Sequence, residues 1–206
     1  MYEKKNRPNA RDKAKQLIRQ NGGIIKTSAA LQAGIHPRTL YQLRDTGDLE
    51  QISRGIYRLT EIEPVSNPDF VIVATRIPNS VICLISALSF HEITTQIPHE
   101  ISVAIPKDGK PSTMGYPPVQ FYKFSKESFM AGIEKHQIDG VTVKVYSPEK
   151  TLADCFKFRN KIGMDVVLEA LKLYKSRKKF DHKKIIEYAK ICRVDKIVRP
   201  YLEASI

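Results

Sequence analysis

Between Thr27 and Leu59 two short helix signals, a turn and a hairpin signal follow one another with no spare residues, and few folds accept that order in so short a stretch. Thr27 and Ser28 offer hydroxyl groups that cap a helix over 28–33, since a side-chain oxygen there satisfies amides that lack intrahelical partners. Gly34 ends it, and Ile35 is an apolar plug. His36-Pro37 opens a second helix over 37–46, with proline at the first position, where its missing N–H costs nothing. Within that helix Leu40 and Leu43 lie three apart and face inward with Ile35, which leaves Arg38, Thr39, Tyr41, Gln42 and Arg44 outside. Gly47 stops it, and strands over 49–52 and 55–59 flank a tip at Ser53-Arg54. The pattern predicts a winged helix-turn-helix.

The chain before this stretch supports the same unit. Residues 1–8 read as a disordered basic lead, and 10–20 as a helix with Ala14, Leu17 and Ile18 inward, stopped by Asn21-Gly22-Gly23. Ile24-Ile25-Lys26 predicts a strand paired with the wing, which sets Lys26 and the amides of Thr27 and Ser28 beside a phosphate backbone. The unit spans 1–60, and 61–64 is a linker to a second domain over 65–206. Charge follows this division. The net charge is +12; residues 1–60 carry 12 Lys and Arg against 5 Asp and Glu, and 175–199 carry 10 against 3, so the basic excess sits at two poles. Such an excess favours a polyanionic partner through phosphate contacts and counterion release.

The second domain opens with a helix over 68–76, announced by Asn67-Pro68-Asp69. Apolar residues 81–85 predict a buried strand, with Ser86 capping a helix that carries Leu88 and Phe90 as far as Ile93. Strands follow at 101–105 and 119–124 around a mobile loop rich in proline and glycine. A hairpin of 129–138 with 141–146 turns at Asp139-Gly140. From Ser147 the pattern becomes helical: Ser147-Pro148-Glu149 caps a helix with Leu152, Ala153, Cys155 and Phe156 inward, and helices over 164–174, 181–192 and a last one around Tyr201 complete a helical cluster. The fold class is α+β, an N-terminal winged helix-turn-helix followed by a mixed C-terminal domain that ends in helices.

Three stretches in order resemble the AbiEi family, antitoxins of type IV toxin-antitoxin (abortive infection) systems. They are Ala33-Gly34-Ile35-His36-Pro37-Arg38-Thr39-Leu40 with the wing Ser53-Arg54-Gly55-Ile56-Tyr57, then Cys83-Leu84-Ile85-Ser86-Ala87-Leu88, and then Ser147-Pro148-Glu149-Lys150-Thr151-Leu152-Ala153-Asp154. The resemblance implies an N-terminal domain that represses its own operon by binding operator DNA upstream of it. It also implies a C-terminal domain that counteracts a nucleotidyltransferase-like toxin. Neither activity is read from composition or spacing.

The residues themselves assign the first domain's chemistry. Arg38, Thr39, Gln42 and Arg44 are placed to reach base edges in the major groove, where arginine suits guanine and glutamine suits adenine. Tyr41 contacts phosphate or packs on the wing, and Arg54 at the tip enters the minor groove or binds phosphate, with Gly55 allowing close backbone approach. The competing reading of this face is a solvated charged helix. In the second domain Lys150, Asp154 and Lys157 have helical spacing and read as solvated pairs, so no catalytic residue is assigned. An enzyme that processes nucleic acid under winged-helix targeting is the alternative function. The histidines show no metal-ligand spacing and no glycine-rich phosphate loop is present, so neither metal nor cofactor is expected. Cys83, Cys155 and Cys192 are far apart among apolar neighbours and read as buried thiols. With no run of about eighteen apolar residues, the expected location is the cytoplasm, away from membranes.

Overall fold

The backbone of this computed structural model is described over residues 9–62 and 67–203, and it divides into two units: residues up to 76 together with 137–142, and 77–136 together with 143–206. The expected basic lead at 1–8 lies outside the described residues, as do 63 and 64 of the expected linker.

In the first unit α1 (Ala10–Gln20) starts at Asn9, whose side chain accepts the Asp12 N–H at 2.9 Å. β1 (Ile24–Lys26), α2 (Thr27–Gln32), α3 (Pro37–Asp45), β2 (Leu49–Ser53) and β3 (Ile56–Leu59) follow, and α4 (Pro68–Arg76) belongs to the same unit. The three strands form an antiparallel sheet in the order β1-β3-β2, with Tyr57 between Ile25 and Gln51. Ile18, Ala30, Ile35, Leu40, Leu43 and Leu59 close the core behind it. Burying each such aliphatic side chain contributes roughly 1.5–3 kcal/mol, so the helix-turn-helix is held by its inward stripe and not by intrinsic helix propensity. The expected hydroxyl cap at Thr27 and Ser28 is absent. The residue before α2 is Lys26 without a side-chain cap, and Thr27 instead gives its amide and its hydroxyl to Gly55 O, at 2.9 and 3.3 Å.

The second unit contains β4 (Val81–Ile82), α5 (Leu84–Phe90), β5 (Ile101–Pro106), β6 (Val119–Phe124), α6 (Lys126–Met130), β7 (Ile133–Ile138) and β8 (Val141–Tyr146). The tip of the hairpin between β7 and β8 counts with the first unit. The sheet order is β6-β5-β4-β8-β7, with β4 antiparallel to β5 and parallel to β8, and β5 parallel to β6. Helices α7 (Pro148–Lys157), α8 (Arg159–Ile162), α9 (Met164–Lys175), α10 (His182–Ile191) and α11 (Asp195–Glu203) complete it.

Three expectations for this unit need correction. The strand expected over 81–85 stops at Ile82, because Leu84 takes a left-handed φ of 46° and opens α5. Ser86 is not a cap; it lies buried inside α5, where its Oγ accepts the Ser102 N–H at 2.9 Å and ties the helix to β5. Phe129 sits in α6, and the strand begins only after Gly132, whose φ of 70° and close approach to Lys150 leave no room for a Cβ.

The largest surprise is α7, which is buried from Glu149 to Phe156. Lys150 and Asp154 are not solvated: they form an ion pair of 2.5 Å with both side chains fully buried. The Lys150 ammonium also lies 4.1 Å from the Tyr146 ring centre and 5.0 Å from that of Phe124, and the Cys192 thiol donates to the second Asp154 oxygen at 3.1 Å. Burial is the main influence on Asp154 and pushes its carboxyl up, against the pull of Lys150. All three cysteines are buried free thiols, and burial pushes Cys192 up to about 12.

A buried pair of this kind contributes little net stability but is costly to halve, by about 3–5 kcal/mol, since the orphaned charge loses its one opposite charge. Lys150→Met and Asp154→Leu should therefore each lower unfolding free energy in urea by about that much, and the double variant by less than either single one. Additive losses in the double variant would show that the two charges do not depend on each other.

Candidate nucleic-acid interface

α3 begins where the sequence demands it. Pro37 occupies its first turn, and His36 Nδ1 accepts the Arg38 N–H at 3.2 Å. At 100° per residue, burial of Leu40 and Leu43 turns Arg38, Tyr41, Gln42 and Asp45 into a single outward stripe. Arg38, Tyr41 and Gln42 are exposed, and Thr39, half-buried, lies at the edge of the stripe. Arg38 makes no ion pair among the described residues.

Arg44 differs from its expected role. It stands in the last turn, where its guanidinium pairs with Asp45 at 2.7 Å and lies 5.1 Å over the Tyr41 ring. The geometry therefore brings a carboxylate onto the far end of the face and uses Arg44 to neutralise it. The end of the stripe with unneutralised positive charge is the one that carries Arg38, and Gln42 stands one turn further on.

The wing stands on a tight turn in which Gly55 has a φ of 72°, a conformation that a side chain resists. Arg54 at its tip is exposed. The turn is held from both sides. Thr27 binds Gly55 O, as above, and Arg76 at the end of α4 gives Nη2–H bonds to Ser53 Oγ at 2.9 Å and Arg54 O at 2.8 Å. Lys26 is half-buried beside it, and burial, followed by the Arg76 charge, pushes the Lys26 ammonium down from its ordinary value. Crowded, partly desolvated cations of this kind gain from an incoming anion. Ser28 is exposed on the first turn of α2, but the Thr27 amide expected to meet a phosphate is already spent on Gly55.

Two contributors escaped sequence reading. Arg76 lies seventeen positions past the wing, and only the packing of α4 with this unit brings it to the turn. Arg58 on β3 is nearly buried and pairs with Glu50 across the wing at 2.5 Å, so the wing carries its own internal ion pair. The cross-strand partners Glu50 and Arg58 were the available signal for that pair, since opposite charges at facing positions stabilise an antiparallel ribbon. Among the described residues no group of three or more His, Cys, Asp and Glu side chains is placed to hold a metal, and no helix is long and apolar enough to cross a membrane.

Comparison with known proteins agrees with the geometry. Residues 12–60 match a family described as "Transcriptional regulator, AbiEi antitoxin", and that stretch runs from α1 through the wing. The resemblance carried by 33–40 and 53–57 is thereby borne out, whereas the stretches at 83–88 and 147–154 lie beyond the match. No curated protein matches the sequence. The RV2827C protein from Mycobacterium tuberculosis, known from its crystal structure, has a similar fold, with a TM-score of 0.53 at 13% identity over 96% of this chain and 82% of that one. At that identity the likeness is one of fold.

Arg76→Ala should loosen the wing without touching α3. Removing two hydrogen bonds from a guanidinium costs about 1–3 kcal/mol in all, and amide exchange at residues 53–56 should accelerate while exchange in α1 and α3 stays as it was. Unchanged exchange in the turn would mean that Arg76 does not hold it.

Proposed function

We propose, from the membership of residues 12–60 in the AbiEi antitoxin family of transcriptional regulators, that the protein is a DNA-binding autorepressor and a non-enzymatic antitoxin acting in the cytoplasm. The observation that carries the first role is the outward face of α3 with an arginine wing tip beside it. Arg38 and Gln42, four apart, reach one groove; Thr39 borders it; Arg54 extends to the neighbouring backbone or minor groove; Tyr41, Lys26 and Ser28 lie where phosphates pass, while Thr27 holds the wing turn and Arg44 restrains Asp45. The operator lies upstream of its own operon. The second unit, which makes up most of the expected domain over 65–206, counteracts a nucleotidyltransferase-like toxin of a type IV system.

The enzyme alternative finds no support from two of the second domain's acids. Asp154 is locked to Lys150, and Asp139 forms the hairpin turn with a φ of 48°. Neither stands as a general base in an open site.

Binding to DNA from upstream of the gene should weaken steeply as salt rises, because released counterions drive it. Arg38→Ala should cost about 1–3 kcal/mol, tenfold or more in affinity, and relax the preference for guanine at one position. Arg44→Ala should cost less, since its charge is shared with Asp45. Equal, salt-insensitive binding by all three proteins in a mobility-shift titration would reject α3 as the reading element.

The two roles separate in one cell experiment. Full-length protein carrying Arg38→Ala, co-expressed with the neighbouring toxin gene from an unrelated promoter, should restore growth as well as the unaltered protein does. Failure to restore growth at equal protein level would tie antitoxin activity to DNA binding.

A further inference from the structure

The second unit holds a cavity of about 480 Å³ that DNA recognition does not use. Its rim carries Arg177, Lys178, Lys179 and Lys184, all exposed, from the end of α9 to the first turn of α10. Its lining includes Glu149, nine-tenths buried at the start of α7 and hydrogen-bonded through one oxygen to the Tyr174 hydroxyl at 2.5 Å. Glu134 and the ring of Tyr188 also line it.

The size and the polarity together restrict the ligand. A cavity of this volume takes a small molecule, whereas a duplex would need an open groove. These four lie in 177–184, a stretch with five lysines and arginines against one aspartate, and none of the four makes an ion pair among the described residues, so they suit a multiply charged anion. The start of α7 adds little to this attraction, because Pro148 has no N–H and Ser147 Oγ already accepts the Lys150 amide. The buried carboxylate repels anions and accepts hydrogen bonds, so the other end of the ligand must be a donor. Tyr188, in the lining, adds an aromatic ring, a group on which planar molecules stack. A cationic rim, a carboxylate in the wall and an aromatic ring match a molecule with a phosphate tail and a planar head that bears N–H groups.

We infer that this cavity binds a phosphorylated nucleoside, its phosphates on Lys178, Lys179, Lys184 and Arg177 and its base toward Glu149 and Tyr188. The nucleoside is either free or the 5′ end of an RNA. Arg177 is also anchored to the fold through Glu92 O at 2.8 Å, so it orients the rim while the lysines supply adaptable charge.

Calorimetric titration of the full-length protein with ATP, GTP, inorganic triphosphate and a short 5′-triphosphorylated RNA tests this. One equivalent of a nucleoside triphosphate or of the RNA should bind more tightly than inorganic triphosphate, and which of the two binds better identifies the source of the phosphate. The double variant Lys179→Ala with Lys184→Ala should weaken binding at least about tenfold with an unchanged circular dichroism spectrum. Glu149→Gln, which keeps an acceptor for Tyr174, should reduce the advantage of the nucleoside over inorganic triphosphate. No saturable binding, equal binding by the double variant, or inorganic triphosphate binding as tightly as every nucleoside-bearing probe would overturn the inference.

Discussion

The second unit depends on one interaction, the ion pair of Lys150 with Asp154 inside α7. Two charges removed from water cost several kcal/mol each, and their attraction offsets that only when the remaining lone pairs and protons are satisfied. Here the Cys192 thiol takes one carboxylate oxygen and the rings of Tyr146 and Phe124 face the ammonium. Tyr146 is held in turn by its hydroxyl on Phe129 O, and its own carbonyl accepts from Thr151 Oγ1 and His91 Nε2. The pair thus fixes a sheet strand, α5, α6, α7 and α10 in register with one another. A hydrophobic helix in that place would pack as tightly, but with less demand on orientation.

This explains why 147–154 stands out in the sequence without being a catalytic motif. Ser147 caps α7, Glu149 binds Tyr174, Lys150 binds Asp154 and Thr151 binds Tyr146, so five of the eight residues make side-chain bonds to fix a helix that is surrounded. The helix was legible from its cap and its apolar stripe. Its burial was not, because lysine and aspartate four apart look the same on a solvated face. The same limit applies at Leu84, where an apolar run reads as strand until a single residue turns left-handed, and at Phe129, which a helix of five residues claims from the strand. In the first unit local signals sufficed. Pro37 and Gly47 mark the limits of α3 and Leu40 and Leu43 its inner face, and the wing followed from Gly55; what local signals left out was the distant Arg76 and the neutralisation of Arg44 by Asp45.

The candidate DNA face is consequently smaller than its charge suggests. Residues 1–60 carry a net of +7, yet Arg58 is committed to Glu50, Lys15 to Asp48, Arg19 to Glu61 and Arg44 to Asp45. Pairing of this kind at exposed sites adds little stability, but it decides which cations remain for phosphates and bases. Among the described cations of 9–60 that make no ion pair, Arg11 and Lys13 lie on α1, while Arg38 stands on α3, Arg54 at the wing tip and Lys26 next to Arg76. It is the geometry of those few side chains, and not the total charge, that makes a sequence-reading role the natural one for this unit.

Interference by guanine methylation tests that role most directly, because arginine reads guanine at the N7 edge that methylation blocks. DNA from upstream of the gene, sparsely methylated at N7, is separated into fractions bound and unbound by the full-length protein. Depletion of methylated guanines from the bound fraction at fixed positions, abolished at one of them by Arg38→Ala, is the result that the account predicts. A bound fraction with methylated guanines spread evenly along the fragment would contradict it.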